Sequence, residues 1–186
     1  MIALNPDTTA LVLIDLQIGV LGRKLEPVAA DELVERSKEL AKRFREAGAT
    51  VVLVKAAPVA DDPPRQVDEP SQLPKILPEG FVDLAPGLAQ PGDLLITKKS
   101  WGAFSGTPLD DELRRRGVRT IALAGVATQF GVESTARQAW ELGYELVIVK
   151  DATTSLAAEA HDRTMRLIFP RIARVTVSNA LSFSRA

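Results

Sequence analysis

Six short apolar runs recur along the 186-residue chain, and segments with helical periodicity lie between most of them. The first run, 9–15, is almost continuously apolar, which is typical of a strand covered on both faces. Strands that alternate with helices predict a mainly parallel sheet with helices packed on each face. The six runs read TALVLID, ATVVLVKA, GDLLITK, RTIALAG, YELVIVKDA and ARVTVS.

The segments between the runs carry helix signals. Residues 31–47 place apolar side chains along one helical stripe, and Gly48 follows as a C-terminal stop. The same reasoning predicts helices at about 109–116, 132–142 and 159–168. We therefore predict a Rossmann-like, three-layer α/β/α fold with a mainly parallel, six-stranded sheet.

The domain organisation follows from length and regularity. No repeat and no linker divides the chain, and its length suits one core, so we predict a single domain over residues 1–186. Residues 58–92 are irregular and rich in proline, and a connection this long is either disordered or functional. Because proline lowers the entropy of the unfolded chain, we favour an ordered flap near the site.

Composition argues against several functional classes. The formal net charge of −1 gives no general attraction to nucleic acid or to an anionic membrane. No apolar run approaches the roughly 18 residues that would span a bilayer, and the N-terminus does not resemble a secretory signal. The chain contains no cysteine, which excludes disulfides, thiolate metal sites and thiol catalysis. We therefore expect a soluble, cytoplasmic protein with a small-molecule substrate.

Polar or special residues follow three of the predicted strands. Asp15 ends the first run and Gln17 lies two residues later, Lys98 ends LLITK, and the small-residue turn GVATQFG follows TIALA. Ligands of open parallel sheets bind beyond the carboxyl ends of the strands, so these residues are predicted to converge on one crevice. The pKa of a carboxyl group beside an ammonium group can shift in either direction, because the cation lowers it and burial raises it. Such a carboxyl group can therefore act as a general acid or base.

The set of motifs resembles the isochorismatase-like hydrolase superfamily. The resemblance lies in LVLIDLQ, in the long segment from ITKKSWGAFSGTPLDD through GVATQFGVESTARQA to VKDATTS, and in HDRTMRLIFPRIARV. It implies that Asp15 and Lys98 flank the position of the catalytic nucleophile. It also implies a cis peptide bond at Val126–Ala127, with the N–H groups of Ala127 and Gly131 forming an oxyanion hole at a helix start.

The nucleophile position departs from the amidase branch of that superfamily, which carries cysteine there. Gly131 occupies it in this chain, as glycine does in true isochorismatases, which cleave a vinyl ether and need a proton donor. The resemblance therefore implies a protonated Asp15 that acts as the acid, with Lys98 as a positioning group. Ser134 and Thr135 lie on the following helix and are interpreted as packing or backbone-bonding hydroxyls.

Metal and cofactor binding are not expected. The nicotinamidase branch binds a metal through aspartate and histidine after the second strand, but the corresponding KAAPVADDPPRQ contains no histidine. Asp61 and Asp62 alone would make a poor transition-metal site. His161, the only histidine, is interpreted as structural.

Several residues near the strand ends are candidates for substrate contact. Aromatic side chains would form an apolar wall, amides would supply polar contacts, and two residues of the turn would complete the pocket. For Thr128 we favour a structural hydroxyl in the turn, although it is also a candidate for substrate contact. Isochorismate has two carboxylates, and only Lys98 and Arg23 are visible as cationic partners for them. The candidates are Trp101, Phe104, Phe130, Gln17, Gln129, Val126 and Thr128.

Three functional hypotheses remain open. The first is a cysteine-independent hydrolase of a vinyl ether or similar molecule, and the second is an amide hydrolase in which Asp15 activates water. The third is a non-catalytic relative that binds small molecules or serves as a scaffold. The resemblance also implies a homodimer or larger homo-oligomer, with Trp140 and Phe183 as possible interface residues. Arg137 is expected to brace the fold by pairing with a carboxylate.

Overall fold

A computed structural model describes residues 1–57, 66–69 and 77–185 of the chain. Its strands are β1 (Ile2–Leu4), β2 (Thr9–Ile14), β3 (Thr50–Ala56), β4 (Leu94–Lys98), β5 (Thr120–Val126), β6 (Glu145–Thr154), β7 (Arg174–Thr176) and β8 (Leu181–Phe183). Its α-helices are α1 (Ile18–Leu21), α2 (Ala30–Ala47), α3 (Leu109–Arg115), α4 (Glu133–Glu141), α5 (Ala158–Leu167) and α6 (Phe169–Ile172).

The six predicted runs form one sheet with the order β4-β3-β2-β5-β6-β7. All five pairings between neighbouring strands are parallel, so the predicted sheet is confirmed. A second sheet pairs β1 with β8, also in parallel, and these two strands of three residues were not predicted. They join the two ends of the chain, which the local apolar pattern does not reveal.

Alternate residues of the central strand β2 serve two different hydrophobic cores. Leu11 and Leu13 pack in the cluster that contains the buried face of α2. Val12 and Ile14 pack in the other cluster, with buried residues from α3, α4, α5 and α6. Because side chains alternate across a strand, both faces of the sheet are covered, which gives the predicted three layers.

The helices lie close to their predicted positions. Helix α2 ends at Gly48, which adopts a left-handed conformation with φ 83° and closes the helix with its own N–H. The helix predicted from residue 132 begins instead at Glu133, because a wider π-type turn at Thr128–Val132 precedes it. The short helices α1 and α6 were not predicted, since four residues give too little periodicity to detect.

The last part of the predicted flap packs on the chain that follows β2. Gly19 N–H donates to Phe81 O, and Ala85 N–H donates to Leu16 O, each at 2.9 Å. Gln17 and Leu84 form an isolated antiparallel bridge. Residues 58–65 and 70–76 of the predicted flap lie outside the described residues.

Candidate active site

Asp15 stands at the carboxyl end of the central strand. Its N–H donates to Val54 O at 2.9 Å, and its carbonyl accepts from Gln17 N–H at 2.8 Å. Its φ of 53° lies in the left-handed region, the only positive value at a non-glycine residue among the described residues. Such a conformation costs about 1–3 kcal/mol and persists where the surroundings impose it, often at functional sites.

Lys98 reaches Asp15 from the far side of β3. Neighbouring strands lie about 5 Å apart, so the long lysine side chain has to extend over the end of the intervening strand. Its Nζ lies 2.8 Å from Asp15 Oδ2 and also donates to Ser100 O at 3.1 Å. The side chain is 3% exposed, whereas Lys99 is on the exposed face, as alternation along the strand predicts.

The carboxyl group of Asp15 is only partly satisfied. Its Oδ1 is buried and has no hydrogen-bond partner among the described residues, which leaves the Lys98 contact to Oδ2. Burial raises the pKa of Asp15 above its ordinary value, and the neighbouring Lys98 charge opposes that rise without cancelling it. The geometry therefore provides a carboxyl group that retains a proton more readily than an exposed aspartate.

The turn after β5 approaches Asp15 directly. The peptide bond between Val126 and Ala127 is cis. A Cβ built on Gly131 would lie 3.0 Å from Asp15 Oδ2 and 3.0 Å from Ile14 Cγ2. Gly131 therefore leaves open the space immediately in front of the carboxyl group. Gly125, with φ 121°, allows the strand to approach Ile14 O, because a Cβ there would come within 2.2 Å of that oxygen.

Buried hydroxyls hold the same turn in place. Thr128 Oγ1 donates to Thr154 O at 2.9 Å and lies 2.8 Å from His161 Nδ1. Thr135 Oγ1 donates to Gly131 O at 2.7 Å and accepts from Ala103 N–H at 3.0 Å. The structural interpretations of His161 and Thr135 are therefore confirmed.

A cavity of about 300 Å³ opens in front of Asp15 and the turn. Val20 and Leu156 were not identified from the sequence, although Leu156 follows the carboxyl end of β6 and could have been found by the strand-end rule. The exposed rings of Trp101 and Phe130 contact each other, with centroids 4.8 Å apart. The cavity is lined by Asp15, Val20, Arg23, Lys98, Trp101, Val126, Ala127, Phe130, Gly131 and Leu156.

Four predicted substrate contacts lie elsewhere. Gln17 is buried and uses its amide on Ala56 and on Val82 O, so it braces the backbone rather than the cavity. Phe104 packs against Tyr144, which precedes β6 at the opposite end of the sheet. Thr128 is fully buried in the network described above, and the Gln129 side chain contacts Ser155 Oγ.

Other predicted residues have identifiable positions. Arg137 pairs with Glu133 at 2.9 Å within α4, so it has the predicted carboxylate partner, and its bracing role stays a prediction. Phe183 packs edge-on against Phe44 in the core with centroids 4.9 Å apart, whereas Trp140 is exposed. Asp61 and Asp62 lie outside the described residues.

Two further properties concern the described part of the chain alone. Across residues 1–57, 66–69 and 77–185, His, Asp and Glu side chains form no group of three that could hold a metal ion. None of the helices in these ranges combines the length and apolar character needed to cross a membrane.

Comparison with known proteins identifies the family. The isochorismatase domain model matches residues 9–180. The isochorismatase family protein YecD of Escherichia coli O157:H7 is 49% identical over 179 residues, covering 94% of this chain and 95% of that protein. YwoC of Bacillus subtilis (strain 168), from the same family, is 42% identical over 171 residues, covering 89% and 88%.

A solved structure shows the same fold. It is an isochorismatase family protein from Burkholderia thailandensis, 39% identical, with a TM-score of 0.89 over 96% of this chain and 95% of its own. The domain match and the relatives agree across nearly the whole chain, and the chain belongs to the isochorismatase family.

Proposed function

We propose that this protein is a hydrolase of a small molecule that works without cysteine, with Asp15 as the general acid. The observation that carries the proposal is the open space at Gly131. A side chain there would begin 3.0 Å from Asp15 Oδ2, so its absence brings a bound molecule directly against the carboxyl group. An attacking side chain is not needed when the first chemical event is proton transfer from the protein.

The acid role fits the electrostatics of Asp15. Burial raises the pKa of its carboxyl group, so the protonated form is favoured more than at an exposed aspartate. Lys98 has only donors to offer to Oδ2, so a proton on this group belongs on Oδ1, the oxygen without a partner. The terminal torsion of an aspartate is soft, and rotation about it moves the protonated oxygen to the side where Gly131 leaves space. Lys98 releases Oδ2 in this movement and keeps its hydrogen bond to Ser100 O.

The chemistry that suits this arrangement is hydrolysis of a vinyl ether. Asp15 donates its proton to the terminal enol carbon, and the C=C electron pair forms the new C–H bond, leaving an oxocarbenium ion. Water adds to that ion and returns a proton to Asp15. The resulting hemiketal breaks its C–O bond to the alcohol, so the net reaction consumes one water. Positive charge develops on the substrate in this step and negative charge on Asp15, so the carboxylate that remains stabilises the oxocarbenium ion, and Lys98 stabilises that carboxylate and positions the acid. An oxyanion hole formed by the N–H groups of Ala127 and Gly131 belongs to the amide reaction considered next.

Amide hydrolysis by water that Asp15 activates is the second candidate. It requires Asp15 to be ionised in the resting state, which the ion pair with Lys98 at 2.8 Å favours. The raised pKa of Asp15 opposes it, and for that reason we rank it below the acid mechanism. The third candidate function is binding of the same small molecules without turnover.

The test is an assay of pyruvate release from isochorismate and from vinyl ethers that carry a single carboxylate, followed by a panel of small amides. Asp15→Asn keeps the size of the side chain and removes the acid, so we expect turnover to fall about 100-fold or more. Asp111→Asn changes an exposed aspartate on α3 and serves as the matched control. Turnover that survives in Asp15→Asn excludes both catalytic candidates, and binding without turnover in the native protein favours the third.

A further inference from the structure

We infer that Arg23 makes the cavity a binding site for small molecules that carry one carboxylate on an apolar, planar body. The inference names the substrate class of the proposed hydrolase and so rests on the proposed function for its biological meaning. The binding preference itself does not depend on turnover. It follows from the charges that line the cavity and from the side chains that surround them.

In the part of the chain that the structure describes, three charged residues line the cavity: Asp15, Lys98 and Arg23. Asp15 and Lys98 form an ion pair of 2.8 Å, and Lys98 also donates to Ser100 O, so this lysine is already engaged. Lys98 is only 3% exposed, and its ammonium group is bonded to these two acceptors, so it is a poor partner for an incoming carboxylate. Among the described residues, Arg23 is the remaining cation of the lining.

Arg23 is available for that role. It follows α1 and the helix-ending Gly22, and its backbone N–H is bonded to Val20 O at 3.2 Å. Across the described residues its guanidinium forms no salt bridge or side-chain hydrogen bond, whereas the neighbouring Lys24 pairs with Glu26 at 2.5 Å. A planar guanidinium binds a carboxylate through two parallel hydrogen bonds, which favours this anion over a neutral amide.

The rest of the lining describes the body of the ligand. Val20, Val126 and Leu156 are aliphatic, and Trp101 and Phe130 form an aromatic pair tilted at 53° with 63% and 37% of their surfaces exposed. Exposed aromatic rings at a cavity wall favour contact with flat, apolar molecules. The cavity of about 300 Å³ suits a molecule of the size of a substituted benzoate.

Within residues 1–57, 66–69 and 77–185, Arg23 is the one exposed cation of the lining, and this also limits the number of carboxylates. A second carboxylate would face the Asp15 carboxyl group, the apolar wall or the buried ammonium group of Lys98, which is already bonded to Asp15 Oδ2 and Ser100 O. Burying an unpaired charge is costly, so a dicarboxylate gains nothing from its second group. We therefore expect monocarboxylates to bind better than dicarboxylates of similar size.

The test measures binding of benzoate, benzamide and phthalate by isothermal titration calorimetry or by NMR shift perturbation. In the native protein we expect benzoate to bind about tenfold more tightly than benzamide, and at least as tightly as phthalate. Arg23→Gln should reduce the ratio of benzoate to benzamide affinity to about one, and Arg23→Lys should retain part of it. Arg23 is exposed, and thermal unfolding of each variant verifies that it is folded.

Lys38→Gln is the matched control, because Lys38 lines a separate cavity of about 550 Å³. That variant should keep the full preference for benzoate. A preference that persists in Arg23→Gln, a preference for phthalate, or no measurable binding of benzoate in the native protein would each overturn the inference. Asp15→Asn separates it from the proposed function: loss of turnover with the preference intact supports both, and a preference without any turnover leaves the binding site standing while the catalytic proposal fails.

Discussion

Lys98 Nζ and Asp15 Oδ2 lie 2.8 Å apart, although β3 separates the strands that carry the two residues. The pair is almost entirely buried, so each partner depends on the other for compensation of its charge. Changes to this pair should therefore affect both the proposed acid, Asp15, and the free energy of unfolding of the protein.

Replacement of Lys98 by methionine should destabilise the protein by about 3 kcal/mol at about pH 8, because it leaves a buried carboxylate unpaired. Without Lys98 the pKa of Asp15 rises further, and at about pH 5 protonation relieves much of the cost. Because the folded-state pKa of Asp15 in this variant lies above its unfolded-state value, the free energy of unfolding decreases as the pH rises through this range. Urea unfolding at the two pH values measures the difference, with the exposed Lys99→Met as control. Equal losses at both pH values would show that Asp15 does not titrate in this range.

Gly131→Ala should reduce turnover about 100-fold while the protein remains folded. The added methyl group would lie 3.0 Å from Asp15 Oδ2 and would separate the acid from a molecule in the cavity. Steady-state kinetics on the substrate found by the panel measures the loss. Gly22→Ala is the control, since it adds a methyl group at an ordinary φ of −70° without touching Asp15. Full activity in Gly131→Ala would mean that the open space is not used.

Gln17→Leu should cost roughly 2 kcal/mol or more in the free energy of unfolding, although Gln17 makes no contact with the cavity. Its amide accepts from Ala56 N–H and donates to Ala56 O and Val82 O, at 2.8, 3.0 and 2.8 Å. Leucine would leave these partly buried backbone groups without the Gln17 amide as partner. Denaturant unfolding beside the exposed Gln90→Leu tests this, and equal stabilities of the two variants would contradict the bracing role.

The neutral imidazole of His161 should carry its proton on Nδ1. Thr128 has one hydroxyl proton and donates it to Thr154 O, so at His161 Nδ1 it accepts. Long-range ¹⁵N NMR distinguishes the two tautomers directly. Thr128→Val should remove the preference for the Nδ1 tautomer of His161. It should also destabilise the protein by about 2 kcal/mol, because it leaves Thr154 O and His161 Nδ1 without the Thr128 hydroxyl as partner. A proton found on Nε2 in the native protein would contradict the hydrogen-bond assignment.

The sheet was predictable because its strands are buried on both faces, and such strands stand out as short apolar runs. Strand ends then located Asp15, Lys98 and the turn, since parallel strands place their carboxyl ends at one edge. The pairing of β1 with β8 was not predictable, because it joins residues from opposite ends of the chain over three residues each.

Side-chain direction in the loops limited the prediction of the site. Gln17 and Phe104 follow strand ends in the sequence, yet Gln17 bonds to the partly buried backbone of Ala56 and Val82, and Phe104 packs against Tyr144. The direction of each side chain depends on residues that are distant in the sequence, and the local sequence does not reveal these contacts. Val20 enters the cavity only because the short helix α1 folds back beside Asp15, which four residues of sequence do not signal.

The most direct test of the central claim is a titration of the Asp15 carboxyl group by ¹³C NMR, assigned by comparison with Asp15→Asn. We expect a pKa of Asp15 above the ordinary value of 3.8, and a further rise in Lys98→Met. A pKa at or below 3.8 in the native protein would contradict it, because such a carboxyl group would already have lost the proton that the proposed reaction requires.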